Sequence, residues 1–157
     1  MAANDDPEAK LAALGLTLPA LPTPLANYVP FRMDGGTIYC SGQGPRKPDG
    51  SMHVGKVGAG AVSVEEAYQH AQLVGLQLLA VARAAAGSLA KVQVVKVLGM
   101  VNGLPEFADQ PKVINGCSDL FVNVLGEWGK HARSAVGMGS LPGNITVEIE
   151  AIFRLRG

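Results

Sequence analysis

The chain of 157 residues lacks the features that mark secreted, membrane-bound and nucleic-acid-binding proteins. Its 13 Lys and Arg residues balance 13 Asp and Glu residues, and no basic run is present, which argues against general electrostatic binding to nucleic acid. The longest apolar run is much shorter than a membrane span, and residues 1–10 are acidic and lack the apolar segment of a signal peptide. We therefore expect a soluble, cytoplasmic protein that binds neither a membrane nor nucleic acid.

Motifs for metals, disulfides and organic cofactors are also missing. The only cysteines, Cys40 and Cys117, have no metal-binding spacing, and we expect both to be inert core thiols of a reduced, intracellular protein. The segment Ser41-Gly42-Gln43-Gly44 has neither the lysine nor the following helix of a phosphate-binding loop. We therefore expect no metal and no cofactor.

Charged side chains are few, at 17% of the residues, whereas 48% are hydrophobic. A chain of this length can bury the core of one domain, but so few charges would leave a monomer with uncovered apolar surface. We therefore expect part of the surface to be buried between subunits. A lead-in occupies residues 1–25, with a short helix followed by an extended, proline-containing stretch at 18–24, and a single domain follows at 26–157.

Turn-forming residues predict a hairpin near the start of the domain. Asp34-Gly35-Gly36 is typical of a tight turn, and the flanking segments 27–33 and 37–43 are expected to be its strands. The glycine-rich segment 44–60 has little apolar content, so an exposed loop is expected there.

Helix signals alternate with strand signals in the middle of the chain. Ser63 and Glu66 form a capping box, which predicts a helix that runs to about residue 86. The valine-rich segment 91–100 predicts a buried strand, and a second helix is expected at 111–125. This second helix should be capped by Asp109 and ended by Gly126.

The last part of the chain predicts a closing hairpin with an unusual charge content. Its turn is expected at 141–144, and the second strand alternates apolar residues with Thr146, Glu148 and Glu150. Arg133 enters the first strand, so a guanidinium and two carboxylates are expected on neighbouring strands of an apolar sheet. From spacing alone, we favour a buried ion pair between Arg133 and Glu148 that fixes the strand register.

The predicted element order is therefore β-β-α-β-α-β-β. Such an order is typical of an α+β sandwich in which two helices pack on one face of a mixed sheet.

This order and several motifs resemble the Rid (YjgF-like, reactive-intermediate deaminase) family between residues 27 and 155. The resemblance implies a chorismate-mutase-like fold and a homotrimer whose active sites lie between neighbouring subunits. The loops at 44–60 and 103–112 are similar to those of a longer branch whose members sometimes carry the label L-PSP endoribonuclease. The motifs that carry the resemblance are Ser41-Gly42-Gln43, Asn115, Ala132-Arg133-Ser134-Ala135, Leu141-Pro142 and Val147-Glu148-Ile149-Glu150-Ala151.

The resemblance implies hydrolysis of a 2-imino or 2-enamino acid to a 2-keto acid and ammonia, without a cofactor. Arg133 would hold the substrate carboxylate, for which a guanidinium offers two parallel donors. Glu148 would position the attacking water and accept its proton. Ala135 stands where a cysteine is frequent and would act through its backbone carbonyl. The other residues implied to line the pocket are Tyr28, Ser41, Gly42 and Asn115.

Two other functions are compatible with the sequence. The first is a non-catalytic trimer that binds a small carboxylate or acts as a chaperone. It would bury the same apolar surface between subunits but would not turn over a substrate. An endoribonuclease would need a His/Lys or two-metal centre and a basic groove, and neither is plain in the sequence.

The histidines are expected to lie outside the main site. We expect His53 to be solvated in its loop and His70 to lie on the polar side of the first long helix. His131, two residues before Arg133, could reach the cleft, but an ordinary loop residue is the favoured interpretation.

Overall fold

A computed structural model describes residues 5–21, 23 and 26–157 of the chain. Its sheet has the strand order β1-β2-β5-β3-β4, in which β3 and β4 are parallel and every other neighbouring pair is antiparallel. The predicted element order and the α+β sandwich are confirmed, with the two long helices packed on one face of a mixed sheet. The elements are α1 (Pro7–Ala13), β1 (Phe31–Asp34), β2 (Thr37–Cys40), α2 (Val64–Ala86), β3 (Val92–Val101), α3 (Gln110–Leu125), β4 (Ala132–Gly137) and β5 (Val147–Leu155).

The N-terminal lead-in is described only in part. The short helix α1 is present, and Asp6 caps it by accepting a hydrogen bond from the backbone N–H of Glu8. The expected extended stretch at 18–24 has no regular structure at residues 18–21 and 23. Pro22 and Pro24, which belong to this expectation, lie outside the described residues, as do residues 1–4 and 25.

The ends of the long helices follow local sequence signals. Ser63 and Glu66 form the predicted capping box at the start of α2, and Gly87 ends the helix with φ +82°. Asp109 precedes α3 as predicted, but its side chain makes no capping hydrogen bond. Gly126, with φ +60°, ends α3.

The predicted closing hairpin is wrong. β4 and β5 do not pair with each other, because β3 lies between them and is hydrogen-bonded to both. β4 runs parallel to β3 at the edge of the sheet, so the chain at 138–146 must pass to the other side of β3 before β5 begins. Alternating side chains identify the faces of a strand but not its neighbours, which is why the sequence suggested a hairpin.

The first hairpin is confirmed, although its strands are shorter than predicted. Asp34 is paired with Thr37, and Gly35 has φ +57° in the turn between them. β2 ends at Cys40, and residues 41–42 separate it from an isolated pairing of Gln43 with Ile149. Two residues of β5 lie between Ile149 and Ile152, whereas three residues lie between their partners Tyr39 and Gln43. The segment between them is therefore a β-bulge.

The loop at 44–60 is less exposed than predicted, because it folds back over α2. Gln77 of α2 donates a hydrogen bond of 2.7 Å to the carbonyl of Gly44. Val57 of the loop is completely buried in the core. The loop is thus attached to α2 at Gly44 and to the core at Val57.

The predicted placement of His70 is wrong, and His53 is only partly exposed to solvent. His70 is only 9% exposed, and its ring stacks on that of His53 with the centroids 4.0 Å apart. The Nδ1 atom of His70 lies 2.9 Å from the hydroxyl oxygen of Thr146. The loop covers this part of α2, so a side that the sequence pattern marks as polar faces the protein.

The helices α2 and α3 cross in close contact at Gly116. A Cβ atom on Gly116 would overlap the backbone carbonyl of Tyr68 in α2. A side chain at residue 116 would therefore force the two helices apart and disturb the core between them.

We predict that Gly116→Ala lowers the free energy of unfolding by about 3 kcal/mol, because the new methyl group meets backbone rather than a flexible side chain. Urea unfolding followed by circular dichroism measures the change. Gly139→Ala is the matched control, since a Cβ there has nothing within 4 Å and should change the stability little. Equal stability of the two variants would contradict the close contact.

We also predict that the folded state loses stability as the pH falls from about 6.5 to about 4. Burial, and then the charges of His53 and Lys47, lower the pKa of His70 to about 4, while Glu66 has the opposite effect. Burial also lowers the pKa of His53. The unfolded chain, with histidine pKa values near ~6.5, binds more protons in this range, so its free energy falls relative to the folded state.

The loss should be about 1–2 kcal/mol, because solvent near the loop screens part of the effect. Urea titrations at several pH values measure it, and His70→Gln serves as the comparison because it removes one of the two titrating rings. A pH dependence that is identical in both proteins would show that the stacked rings do not cause the loss.

Candidate active site

Arg133 lies on the edge strand β4 and points to the helix side of the sheet. It is paired with Val97 of β3, which is completely buried beneath the helices, and paired residues project from the same face. Its Nη1 atom donates hydrogen bonds to the Oδ1 atom of Asn115 at 2.8 Å and to the hydroxyl of Ser118 at 3.1 Å. The structure therefore brings together Arg133 and Asn115, two of the predicted site residues.

Ser118 and His131 complete this cluster; Ser118 was not predicted, and for His131 an ordinary loop position was favoured over a place in the cleft. The Nε2 atom of His131 lies 2.9 Å from the hydroxyl of Ser118, and its Nδ1 atom lies 2.6 Å from the carbonyl of Gly129. The prediction of an ordinary loop histidine was therefore wrong. Asn115 and Ser118 are polar residues three apart in a helix whose buried side is apolar, and this spacing was an available signal for Ser118.

Ala135 lies two residues after Arg133 and on the same face of β4. Its side chain is half-buried and packs against the hydrophobic core. The thiol of Cys117 lies in the core beside Gly75 of α2, and burial raises its pKa far above the usual value. Burial also raises the pKa of Cys40 to about 12. Both thiols are buried and protonated at neutral pH, as expected for inert core cysteines.

Glu148 lies on the opposite face of the sheet. It is paired with Met100, while its neighbour Ile149 is completely buried under the helices. Because side chains alternate along a strand, the carboxylate of Glu148 points away from the helices. Its Oε2 atom would be only 3.0 Å from a Cβ atom on Gly42, so the carboxylate packs directly against this glycine.

A cleft of about 340 Å³ opens beside Glu148. Tyr28 and Gly42, two further predicted site residues, line it together with Arg46 and Met52 of the loop at 44–60. The structure thus gathers Tyr28, Gly42 and Glu148 into one place.

Ser41 and Gly42 occupy the β-bulge after β2. Ser41 donates a hydrogen bond of 2.6 Å from its hydroxyl to the carbonyl of Val29, which ties this segment to the chain that precedes β1. A bulge redirects side chains and interrupts regular pairing, and bulges are frequent beside active sites. Here the bulge sets Gly42 against the carboxylate of Glu148.

Arg133 and Glu148 do not meet within one chain. Their strands are separated by β3, which places the backbones about 10 Å apart across the sheet, and the register displaces them by about 10 Å along it. Their side chains also leave opposite faces. The expectation of neighbouring strands was wrong, and in the described residues no ion pair joins the two side chains.

The environment of Glu148 favours its protonated form. Burial raises its pKa above the ordinary value, and the nearby charge of Glu150 raises the pKa further. Carboxylates with a raised pKa are suited to proton transfer near neutral pH.

Across residues 5–21, 23 and 26–157, no three His, Cys, Asp or Glu side chains come together as a metal site would need. In the same residues, no helix has the length and the apolar composition that crossing a membrane requires.

Comparisons with known proteins match the fold and the motifs. Residues 8–152 fit the family described as "YjgF/chorismate mutase-like, putative endoribonuclease". Protein TCP17 of Trypanosoma cruzi is 40% identical over 149 residues, which cover 94% of this chain and 92% of that protein. The chain belongs to the YjgF/chorismate mutase-like (Rid/L-PSP) family, as the sequence motifs predicted.

Two solved structures extend this similarity to the whole fold. The structure of Atu1372 from Agrobacterium tumefaciens, a protein of unknown function, has a TM-score of 0.87 and 45% identity and covers 96% of this chain and 92% of that one. A "putative endoribonuclease" from Shewanella oneidensis has a TM-score of 0.90 and 31% identity and covers 96% and 99% of the two chains.

We predict that the carboxyl group of Glu148 titrates above the ordinary glutamate range and that Glu150→Gln lowers its pKa, because a neighbouring negative charge is removed. The lowering should be incomplete, since burial is the larger cause. Carbon-13 NMR of the side-chain carboxyl groups measures the titration. Glu106→Gln, which removes an exposed carboxylate elsewhere, should leave the Glu148 titration unchanged. An ordinary pKa for Glu148 would show that its cleft is open to solvent.

Proposed function

We propose that this protein hydrolyses small 2-imino or 2-enamino acids to 2-keto acids and ammonia. We further propose that each active site combines Arg133 of one subunit with Glu148 of a neighbouring subunit in a homotrimer. The placement of these two residues on opposite faces of the sheet is the observation that carries the proposal. Each face holds one half of the required chemistry, and neither half is complete in a single chain.

The surroundings of Arg133 suit it to bind a carboxylate. The hydrogen bonds that the described residues make with its side chain use only Nη1. Nη2 and Nε therefore remain as a pair of parallel donors for the two oxygens of a substrate carboxylate. Asn115 and Ser118 hold the guanidinium without neutralising it, because both partners are uncharged.

The surroundings of Glu148 suit it to activate water. A water molecule bound to the carboxylate would transfer a proton to it as the water oxygen adds to the carbon of the C=N bond. Glu148 then returns this proton to the nitrogen of the carbinolamine, the C–N bond breaks, and ammonia leaves as the carbonyl of the 2-keto acid forms and its hydroxyl proton passes to Glu148. The enamine form first takes a proton on carbon to give the imine. These substrates are unstable in water, so a modest lowering of the barrier is sufficient.

The outer face of the sheet supports the proposed trimer. It carries a cleft of about 500 Å³ whose apolar lining includes Tyr39, Leu98 and Ile152. Tyr39 is 47% exposed, and Val136 on the edge strand is 38% exposed. An uncovered apolar surface of this kind is typical of a subunit interface. Packing of this face between copies would bring the edge strand of one subunit close to the Glu148 cleft of another.

Binding of a small carboxylate without turnover is the second candidate function. The Arg133 cluster alone would support it, since the hydrogen bonds that hold the guanidinium do not involve Glu148. It differs from the first candidate in predicting that Glu148→Gln changes neither ligand affinity nor the rate of imine loss. The endoribonuclease description of relatives adds a control, which is an assay of RNA cleavage on the same purified samples.

We predict that Arg133→Ala and Glu148→Gln each abolish imine hydrolysis and that an equal mixture of the two variants regains about a quarter of the wild-type rate. In a cyclic trimer with shared sites, each site has an intact Arg133 with a chance of one half and an intact Glu148 with a chance of one half. About a quarter of the sites therefore contain both residues. The variants are mixed by co-expression. The rate is measured as the loss of 2-aminoacrylate generated in situ, with the uncatalysed rate subtracted.

A mixture of wild-type protein with the double variant, Arg133→Ala and Glu148→Gln together, tests the same geometry. It should retain about a quarter of the wild-type rate if sites are shared and about half if each site lies within one chain. Activity that does not return in the first mixture would refute the shared site. No difference between wild-type protein and buffer would refute the deaminase proposal itself.

A further inference from the structure

A chain of hydrogen bonds leads from the backbone to the guanidinium of Arg133. It begins at the carbonyl of Gly129, passes through the ring of His131 and the hydroxyl of Ser118, and ends at Nη1 of Arg133, with distances of 2.6, 2.9 and 3.1 Å. Three of these groups are side chains, one from α3 and two at or just before the start of β4. Their alignment on one nitrogen of Arg133 calls for an explanation beyond packing.

The chemistry of the two end groups, together with a neutral ring at His131, sets the direction of every bond between them. A guanidinium only donates, so the hydroxyl oxygen of Ser118 accepts from Arg133. A carbonyl only accepts, so Nδ1 of His131 carries the proton that is donated to Gly129. The neutral ring then has its lone pair on Nε2, and Ser118 donates its hydroxyl hydrogen to that atom.

We infer that His131 is a positioning residue for Arg133 and that it acts through Ser118. By accepting the hydroxyl hydrogen, His131 turns a lone pair of Ser118 towards the guanidinium. Ser118 and Asn115 then hold Nη1 from two points one helical turn apart, and the remaining donors of Arg133 face the carboxylate site. The inference rests on the proposed function for the role of Arg133, but the direction of the bonds does not.

The packing around His131 keeps its ring neutral and in place. Phe121 contacts it edge to face, with the centroids 5.8 Å apart. Burial lowers the pKa of His131, and the positive charge of Arg133 lowers it too, against an opposing effect of the bond to Gly129. The ring therefore remains an acceptor at Nε2 under neutral conditions. Gly129 is itself required at this point, because a Cβ atom there would overlap the backbone carbonyl of Phe121.

Loss of the chain of bonds should weaken carboxylate binding more than it slows the chemical step. A guanidinium that is free to turn must be ordered by the substrate, and this cost applies equally to the bound substrate and to the transition state. We expect Ser118→Ala and His131→Phe to raise KM about tenfold and to change kcat by less than about threefold. His131→Phe retains the ring that packs on Phe121 and removes only the nitrogens.

The conservative variant separates positioning from packing. His131→Gln places an amide oxygen near the original Nε2 atom, so it can still accept from Ser118 and should keep KM within about threefold of the wild-type value. Asn123→Ala removes an exposed polar side chain from the same helix and should change neither constant. Thermal unfolding of each variant confirms that the fold is intact. A KM for His131→Phe that equals that of the wild type would overturn the inference.

The tautomer of His131 gives a test that needs no enzymatic activity. Nitrogen-15 NMR of the ligand-free protein should show the proton of His131 on Nδ1, and a proton on Nε2 would overturn the proposed direction of the bonds. Titration with pyruvate, a 2-keto acid, should give a Kd about tenfold higher for Ser118→Ala than for the wild type. Unchanged affinity would also overturn the inference. Failure of the proposed function would instead appear as a wild-type protein that leaves 2-aminoacrylate untouched.

Discussion

The strand order of the sheet is the constraint on which the candidate site depends. Because β3 lies between β4 and β5, the edge strand carries Arg133 on the helix side while the central strand carries Glu148 on the outer side. Side chains that leave opposite faces of one sheet cannot converge, whatever their rotamers. A site that uses both residues must therefore take them from two copies of the chain. The proposed function therefore requires an oligomer.

This separation also has an electrostatic consequence. Arg133 is held by the neutral side chains of Asn115 and Ser118, and Glu148 lies in a cleft where burial and Glu150 disfavour its charge. A carboxylate beside Arg133 in the same chain would occupy the donors that a substrate needs and would stabilise an ion pair in place of a binding site. Uncharged partners avoid this competition and still fix the geometry of the guanidinium. Glu148, whose pKa is raised by burial and by Glu150, is in turn the carboxylate suited to proton transfer.

The parts of the fold that the sequence predicts correctly are those fixed by neighbouring residues. The capping box at Ser63 and the turn at Gly35 are local, since each depends on hydrogen bonds or dihedral angles within a few residues. The placement of β5 depends on pairing over a long distance, and alternation along the strand is equally consistent with β3 or β4 as its neighbour. For the same reason, the sequence motifs identify Arg133 and Glu148 as candidates but do not show that they lie on opposite faces. The contacts of Ser118 and His131 with each other and with Arg133 could not be predicted in detail, because they form only when α3 and the start of β4 pack together.

The loop at 44–60 connects the core of the domain with the proposed site. His70 and Gln77 of α2 bind it from below, through the stacked ring of His53 and the carbonyl of Gly44. Between these anchors the loop places Arg46 and Met52 in the wall of the Glu148 cleft. A loop held at two points cannot move away as a free segment, so its side chains limit the size of the group that the cleft accepts. The buried polar residues of α2 therefore do more than stabilise the domain, because they set the shape of the wall that a substrate side chain would meet.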